Sequence, residues 1–136
     1  MLEHEVEIRV RYAETDQMAY VYYGNYATYF EVARVETFRK IGMSYKDLEE
    51  MDIGMPVLDY HIKYIRPAKY DDLLTIKVTI PEMPTLRIKF DYEVYNQNGD
   101  LLSKASTRLA FINLKSGAVS PPPEAFNKLL IPFFDV

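Results

Sequence analysis

The sequence contains no cysteine and no tryptophan, and its only histidines are His4 and His61. The first absence excludes thiol nucleophiles, iron–sulfur clusters and cysteine zinc sites, and two imidazoles are too few for a His-rich metal centre, so no metal is expected. Neither a GxxxxGKS/T phosphate loop nor a GxGxxG fingerprint occurs, which disfavours nucleotide binding by either route. A basic excess is missing too. Sixteen Lys and Arg stand against 20 Asp and Glu, a net charge of −4, so nothing draws the chain to nucleic acid or to an anionic membrane. No stretch approaches the roughly 20 apolar residues of a spanning helix, and the opening MLEHEVEIRV lacks the basic start and apolar run of a secretory signal. A cytoplasmic protein without membrane insertion is the expectation. The 136 residues suit a single domain, 1–136, that buries roughly two-thirds of its unfolded surface. What is abundant is aromatic: 12 Tyr and 7 Phe.

Hydrophobic periodicity places the elements. Residues 5 to 12 alternate, with Val6, Ile8, Val10 and Tyr12 opposite Glu5, Glu7, Arg9 and Arg11, which predicts a half-buried first strand. Similar alternation covers 57–66, Leu74 to Thr79 and 86–95, and a further strand run extends from Leu101 to Leu114. Asn96 to Asp100, with its Asn-Gly pair, suits a hairpin between the last two runs. The exception is Val21 to Ile41, which reads as a helix. Its apolar positions surround most of the first two turns, as in a helix buried on several sides, and Gly42 is placed to stop it. Ser44, with Asp47 three residues on, predicts a capped short helix to Met51, and Pro121 to Pro123 precede a last helix from Glu124 to Leu130. A helix segregated from a run of antiparallel strands indicates the α+β class.

One acid stands apart. Asp16 precedes the uncharged tract 17–30, and a helix beginning near Val21 to Gly24 would bring free backbone amides close to it, as a carboxylate facing an oxyanion hole. On spacing alone, the commoner use of Asp16 or Thr15 is to cap a turn. The ordered string Arg11-Tyr12-Ala13-Glu14-Thr15-Asp16, continuing through Val21-Tyr22-Tyr23-Gly24-Asn25-Tyr26 to Tyr29-Phe30-Glu31, closely resembles the opening of the 4-hydroxybenzoyl-CoA thioesterase family of hotdog-fold proteins. A second block, Tyr64-Ile65-Arg66-Pro67-Ala68-Lys69-Tyr70-Asp71-Asp72-Leu73-Leu74, is similar to that family's strand-turn-strand signature.

The resemblance implies a long central helix wrapped by a curved antiparallel sheet, assembly as a homodimer or homotetramer, and hydrolysis of an acyl-CoA substrate to free acid and CoA without a cofactor. By position it makes Asp16 the catalytic nucleophile or general base and the Tyr23 amide the group that polarises the thioester carbonyl. Two departures stand out: Tyr23 occupies a place where some branches carry His, and Ala19 one where many carry Gly. A non-catalytic acyl-CoA-binding hotdog sensor is the competing reading, and retention of Asp16 weighs against it. A hotdog dehydratase ranks lower, because the helix start supplies no His.

The remaining expectations concern binding and support. Tyr22, Asn25 and Tyr26 are candidates for substrate contact, tyrosine offering an apolar ring with a hydroxyl. Arg66, Arg87 and Lys89 are the cations available for CoA phosphates, although alternating Arg87 and Lys89 also suit a solvated strand face. The spacing of Glu31 and Arg34 predicts a helix-stabilising ion pair. His61 is expected to face solvent, and His4 to lie at the surface.

Overall fold

The computed structural model describes residues 1–134. Its first strand, β1 (Leu2–Arg9), buries Leu2 and Val6 and turns Glu3, Glu5 and Glu7 outward. The alternation expected over 5–12 is therefore displaced toward the terminus. The reason is a competing set of backbone bonds: the Val10 N–H donates to Asp72 O (2.9 Å) and the Asp71 N–H to Val10 O (3.1 Å), which draws the chain into a turn. Tyr12 then enters a short 3-10 segment, Tyr12–Glu14, and its ring stacks on Tyr70 at the surface. His4, expected at the surface, is half-buried on the inward face of β1, paired across from Val78.

Helix α1 (Asn25–Ile41) starts four residues later than the sequence reading. Val21 and Tyr22 are held instead as extended chain, donating to Ala68 O and Glu14 O, each at 2.8 Å. Gly42 ends α1 in the left-handed region at φ 109°, as expected of a C′ glycine. The helix buries one stripe, Tyr26, Tyr29, Phe30, Ala33, Arg34, Thr37 and Phe38, and exposes Ala27 and Val32, so within one protomer it is not enclosed on several sides. Glu31 and Arg34 do not pair: Glu31 faces out, while Arg34 points inward to tyrosine hydroxyls. Helix α2 (Tyr45–Glu50) carries the Ser44–Asp47 capping box in both directions, at 3.2 and 2.9 Å.

Beyond α2 lie β2 (Ile53–Gly54), β3 (Val57–Tyr64), β4 (Leu73–Ile80), β5 (Arg87–Tyr95), β6 (Leu101–Ala110), β7 (Ile112–Asn113) and α3 (Glu124–Leu130). The 101–114 run divides after Ala110, because Ile112 and Asn113 pair with β2. The main sheet is antiparallel with order β1-β4-β5-β6-β3. The β5–β6 hairpin turns where the Asn-Gly pair predicted it: Asn96 Oδ1 accepts from the amides of Asn98 and Asp100, and Gly99 sits at φ 79°.

Alternate residues of β4 (Leu74, Ile76, Val78, Ile80) and β5 (Ile88, Phe90, Tyr92, Val94) are buried and face α1. Phe30 stacks on Tyr92 with ring centroids 4.3 Å apart, and Phe38 lies 5.7 Å from Phe90 and 5.1 Å from Phe126 of α3. Truncating such a ring costs about 3–5 kcal/mol. Strand β3 differs: it is an edge with no residue fully buried, leaving Val57, Leu58, Tyr60 and Tyr64 exposed. No helix among the described residues is long and apolar enough to cross a membrane.

Candidate active site

The loop between β1 and α1 carries the site, and Glu14 fixes its shape. Its carboxylate accepts from the Arg11 amide (2.9 Å), the Arg11 guanidinium (2.9 Å) and the Tyr29 hydroxyl (3.0 Å). Its backbone oxygen accepts from the Tyr22 amide and the Asn25 side chain, both at 2.8 Å. Burial opposes ionisation of Glu14, yet the bonds from Arg11 and Tyr29 together hold its carboxyl below the usual range. The same contact acts oppositely on Tyr29, whose hydroxyl is pushed well up by burial and then by the neighbouring carboxylate.

Asp16 follows at a tight turn. Its Oδ1 accepts from the amides of Met18 (2.9 Å) and Tyr20 (3.3 Å), while its backbone N–H donates to Tyr20 O (2.8 Å). The capping use of this residue thus occurs, but it engages one carboxylate oxygen. Oδ2 accepts no hydrogen bond among the described residues. Ala19 closes the turn at φ 63°, a conformation that glycine adopts without strain. The chain then runs to Gly24, where a side chain would meet the Tyr22 ring at 2.9 Å; the absent Cβ allows that ring to fold back.

Asp16 and Tyr23 line one cavity of about 310 Å³ with Tyr26, Tyr64, Ile65 and Arg66. Among the described residues, the Tyr23 amide meets no backbone acceptor, so a donor remains open next to the start of α1. Tyr26 forms the floor; burial pushes its hydroxyl up to about 12, so it stays protonated near neutrality. Arg66 is the one cation lining this cavity among the described residues, and it lies 3.6 Å from Asp100.

The model of the Thioesterase-like superfamily matches residues 10–130. The chain belongs to this family. An acyl-CoA thioesterase of Haemophilus influenzae, YbgC, is 34% identical over 119 residues, covering 86% of this chain and 87% of its own. Among solved structures, a DHNA-CoA thioesterase from Staphylococcus aureus is 34% identical with a TM-score of 0.85 and covers 100% of this chain and 97% of its own. A Thermus thermophilus protein, TT1821, reaches 0.90 at 29% identity over 99% of this chain and 100% of its own. The fold is accordingly the hotdog, α1 being the central helix and the five-stranded sheet its wrapping.

Within this thioesterase-like domain, the residues singled out from the sequence separate into two groups. Asp16, Tyr23, Tyr26 and Arg66 converge on the cavity. Tyr22 does not line it and instead packs on the Tyr23 ring, with centroids 4.6 Å apart, while the Asn25 amide is spent on Glu14 O. Arg87 and Lys89 lie on the outward face of β5, where Lys89 is 3.5 Å from Asp91, and the pairing register carries that end of the sheet away from Tyr64. His61 is exposed, as its strand face implied. Among the described residues no cluster of three or more His, Asp or Glu is placed to hold a metal ion. Sequence reasoning passed over Tyr64 and Ile65 as lining residues and Glu14 as the organiser of the loop. The first two sit in the quoted 64–74 block, and the Arg11–Glu14 spacing of three was the available signal for the last.

Proposed function

We propose that this protein hydrolyses acyl-CoA to a free acid and CoA, with Asp16 as the catalytic carboxylate and the Tyr23 amide as the donor to the thioester oxygen. The observation that supports this reading is that Asp16, whose Oδ2 is unpaired, and Tyr23, whose N–H has no backbone acceptor among the described residues, line the same cavity. A thioester is already activated toward acyl transfer, so one carboxylate suffices where an amide would require a stronger nucleophile. Two routes use the same parts. In the first, Oδ2 attacks the carbonyl carbon, the C–S bond breaks, CoA leaves as thiolate, and water then opens the mixed anhydride. In the second, Oδ2 takes a proton from water as the oxygen attacks, and the same bond breaks. A positioned base contributes about 10²–10⁴-fold, and an oxyanion donor about 3–4 kcal/mol.

Arg66 is the phosphate or pantetheine contact this reading favours, and Tyr26 a wall of the acyl entrance. The assembly proposed is a homo-oligomer, dimer or tetramer, joined along β3, since an exposed edge carrying Val57, Leu58, Tyr60 and Tyr64 offers both unpaired backbone and apolar surface. We place it in the cytoplasm, with the whole chain as one domain. Free-thiol release over a panel of acyl-CoAs tests the proposal, with Asp16→Asn as control. Release that survives unchanged in Asp16→Asn removes the carboxylate from the mechanism.

A further inference from the structure

Arg34 is a buried cation with no anion beside it among the described residues. It is 6% exposed, Nε donates to the Tyr45 hydroxyl (3.2 Å), Nη1 to the Tyr92 hydroxyl (3.0 Å), and the guanidinium lies 6.0 Å from the Phe90 ring centroid. Among the described residues no carboxylate comes within ion-pair distance, and Nη2 meets no protein acceptor but is not sealed from solvent. A guanidinium removed from water normally requires a counter-charge, because aromatic and hydroxyl neighbours offset only part of its lost hydration. Arg34 opens on a second cavity, of about 230 Å³, between α1 and β3, lined also by Ala27, Phe30, Val57, Tyr60 and Thr107. This is an apolar slot with one cationic end.

The slot neighbours the first cavity, although the two share no lining residue. Tyr26 and Ala27 are successive residues of α1, and Tyr64 and Tyr60 lie on the same face of β3, so the two spaces follow each other along the α1–β3 seam. From Tyr26 to Arg34 the helix advances about 12 Å at 1.5 Å per residue. We propose that Arg34 is a specificity residue for the acyl group: the slot takes a chain whose far end bears a carboxylate, which pairs with the free edge of the guanidinium. This rests on the hydrolase reading above and names the substrate class as the CoA monothioesters of dicarboxylic acids. A methyl-terminated chain of equal length would fill the slot but leave Arg34 uncompensated.

Hydrolysis of suberoyl- and sebacoyl-CoA compared with octanoyl- and decanoyl-CoA tests the assignment in the unaltered protein. The carboxylated members should show kcat/KM higher by about 10- to 100-fold, the value of a charge-assisted hydrogen bond, and should exceed succinyl-CoA, which is too short to reach Arg34. Arg34→Met should abolish the preference and Arg34→Lys restore part of it. Ala27→Met, at the exposed rim, narrows the slot without touching the buried hydroxyls and should lower the ratio of sebacoyl- to succinyl-CoA turnover by about tenfold. Equal or greater turnover of the methyl-terminated substrates by the unaltered protein, or a ratio unmoved by these variants, overturns the Arg34 assignment while leaving the hydrolase intact. Absence of thiol release from every acyl-CoA overturns both.

Discussion

Removing the Glu14 carboxylate should loosen the loop that carries Asp16 as well as the fold. In Glu14→Ala the Tyr29 hydroxyl, on a residue only 2% exposed, loses its acceptor, and a buried unsatisfied hydroxyl costs about 1–3 kcal/mol. The Arg11 amide loses its partner too, although water recovers some of that bond. Together these give a destabilisation of about 2–4 kcal/mol, a large share of the 5–15 kcal/mol typical of a domain. The exposed Arg11 guanidinium adds little, because solvent screens it. Glu14→Gln keeps an acceptor for Tyr29 and for the Arg11 amide and should cost only about 1 kcal/mol. The pH dependence has a definite sign. The folded-state value of Glu14 lies below its ordinary 4.5, so its contribution is complete above 4.5 and disappears as the pH falls through the depressed value. Urea unfolding followed by circular dichroism, at neutral pH and in steps down into the acid range, measures each variant. If Glu14→Gln is as damaging as Glu14→Ala, or if the gap between wild type and Glu14→Gln fails to narrow in acid, the carboxylate is not the organiser described above.

Asp16→Asn should retain both amide bonds at the turn and its unfolding midpoint, yet lose about 10²–10⁴-fold in kcat. A single turnover in ¹⁸O water, followed by mass spectrometry of the Asp16 peptide, tests the first route: label in the side chain marks an anhydride opened at its aspartyl carbonyl. Ala19→Gly relieves a non-glycine residue at φ 63° and should change stability by no more than about 1 kcal/mol, in the stabilising direction, in thermal unfolding. Arg66→Gln should raise KM for acyl-CoA more than Arg87→Gln, since only the former cation lines the cavity; equal effects would bring the β5 cations back to the substrate.

The fold was legible wherever local pattern and tertiary demand agreed. Ser44 with Asp47, Gly42, Asn98-Gly99 and the Glu124 to Leu130 helix each carry their own boundary chemistry, and each occurs where it was read. Errors arose where a distant backbone competed. Residues 10–12 and 21–24 continue the apolar patterns of their neighbours, but Val10 is claimed by Asp71 and Asp72 and the Val21 amide by Ala68, all far along the chain, while the amides of Arg11 and Tyr22 turn to Glu14. The Glu31–Arg34 pair failed for a related reason: helix spacing permits it, but the sheet offers Arg34 the Tyr92 hydroxyl on an inward face invisible to local spacing. Asp16 and Arg66 were singled out where motif and chemistry point the same way, and both line the one cavity. Arg87 and Lys89 were read from charge alone, and charge on an alternating strand says only which face is wet.

The edge strand links assembly to chemistry. Tyr64 lines the Asp16 cavity and Tyr60 the slot at Arg34, yet both stand on β3, 48% and 39% exposed, with no neighbouring strand on that side among the described residues. Pairing of a second copy along this edge would cover both spaces at once, excluding water from the thioester and strengthening every electrostatic contact made there. Leu58→Lys puts a charge on the exposed edge, 46% accessible and outside both cavities, and such charges are a known deterrent to edge pairing. It should shift the protein to monomers in analytical ultracentrifugation and lower kcat/KM in proportion to the monomer fraction, with activity returning at high protein concentration. A monomer that hydrolyses acyl-CoA at the full rate would mean that the cavity is complete within one chain and that β3 serves the reaction only through its own tyrosines.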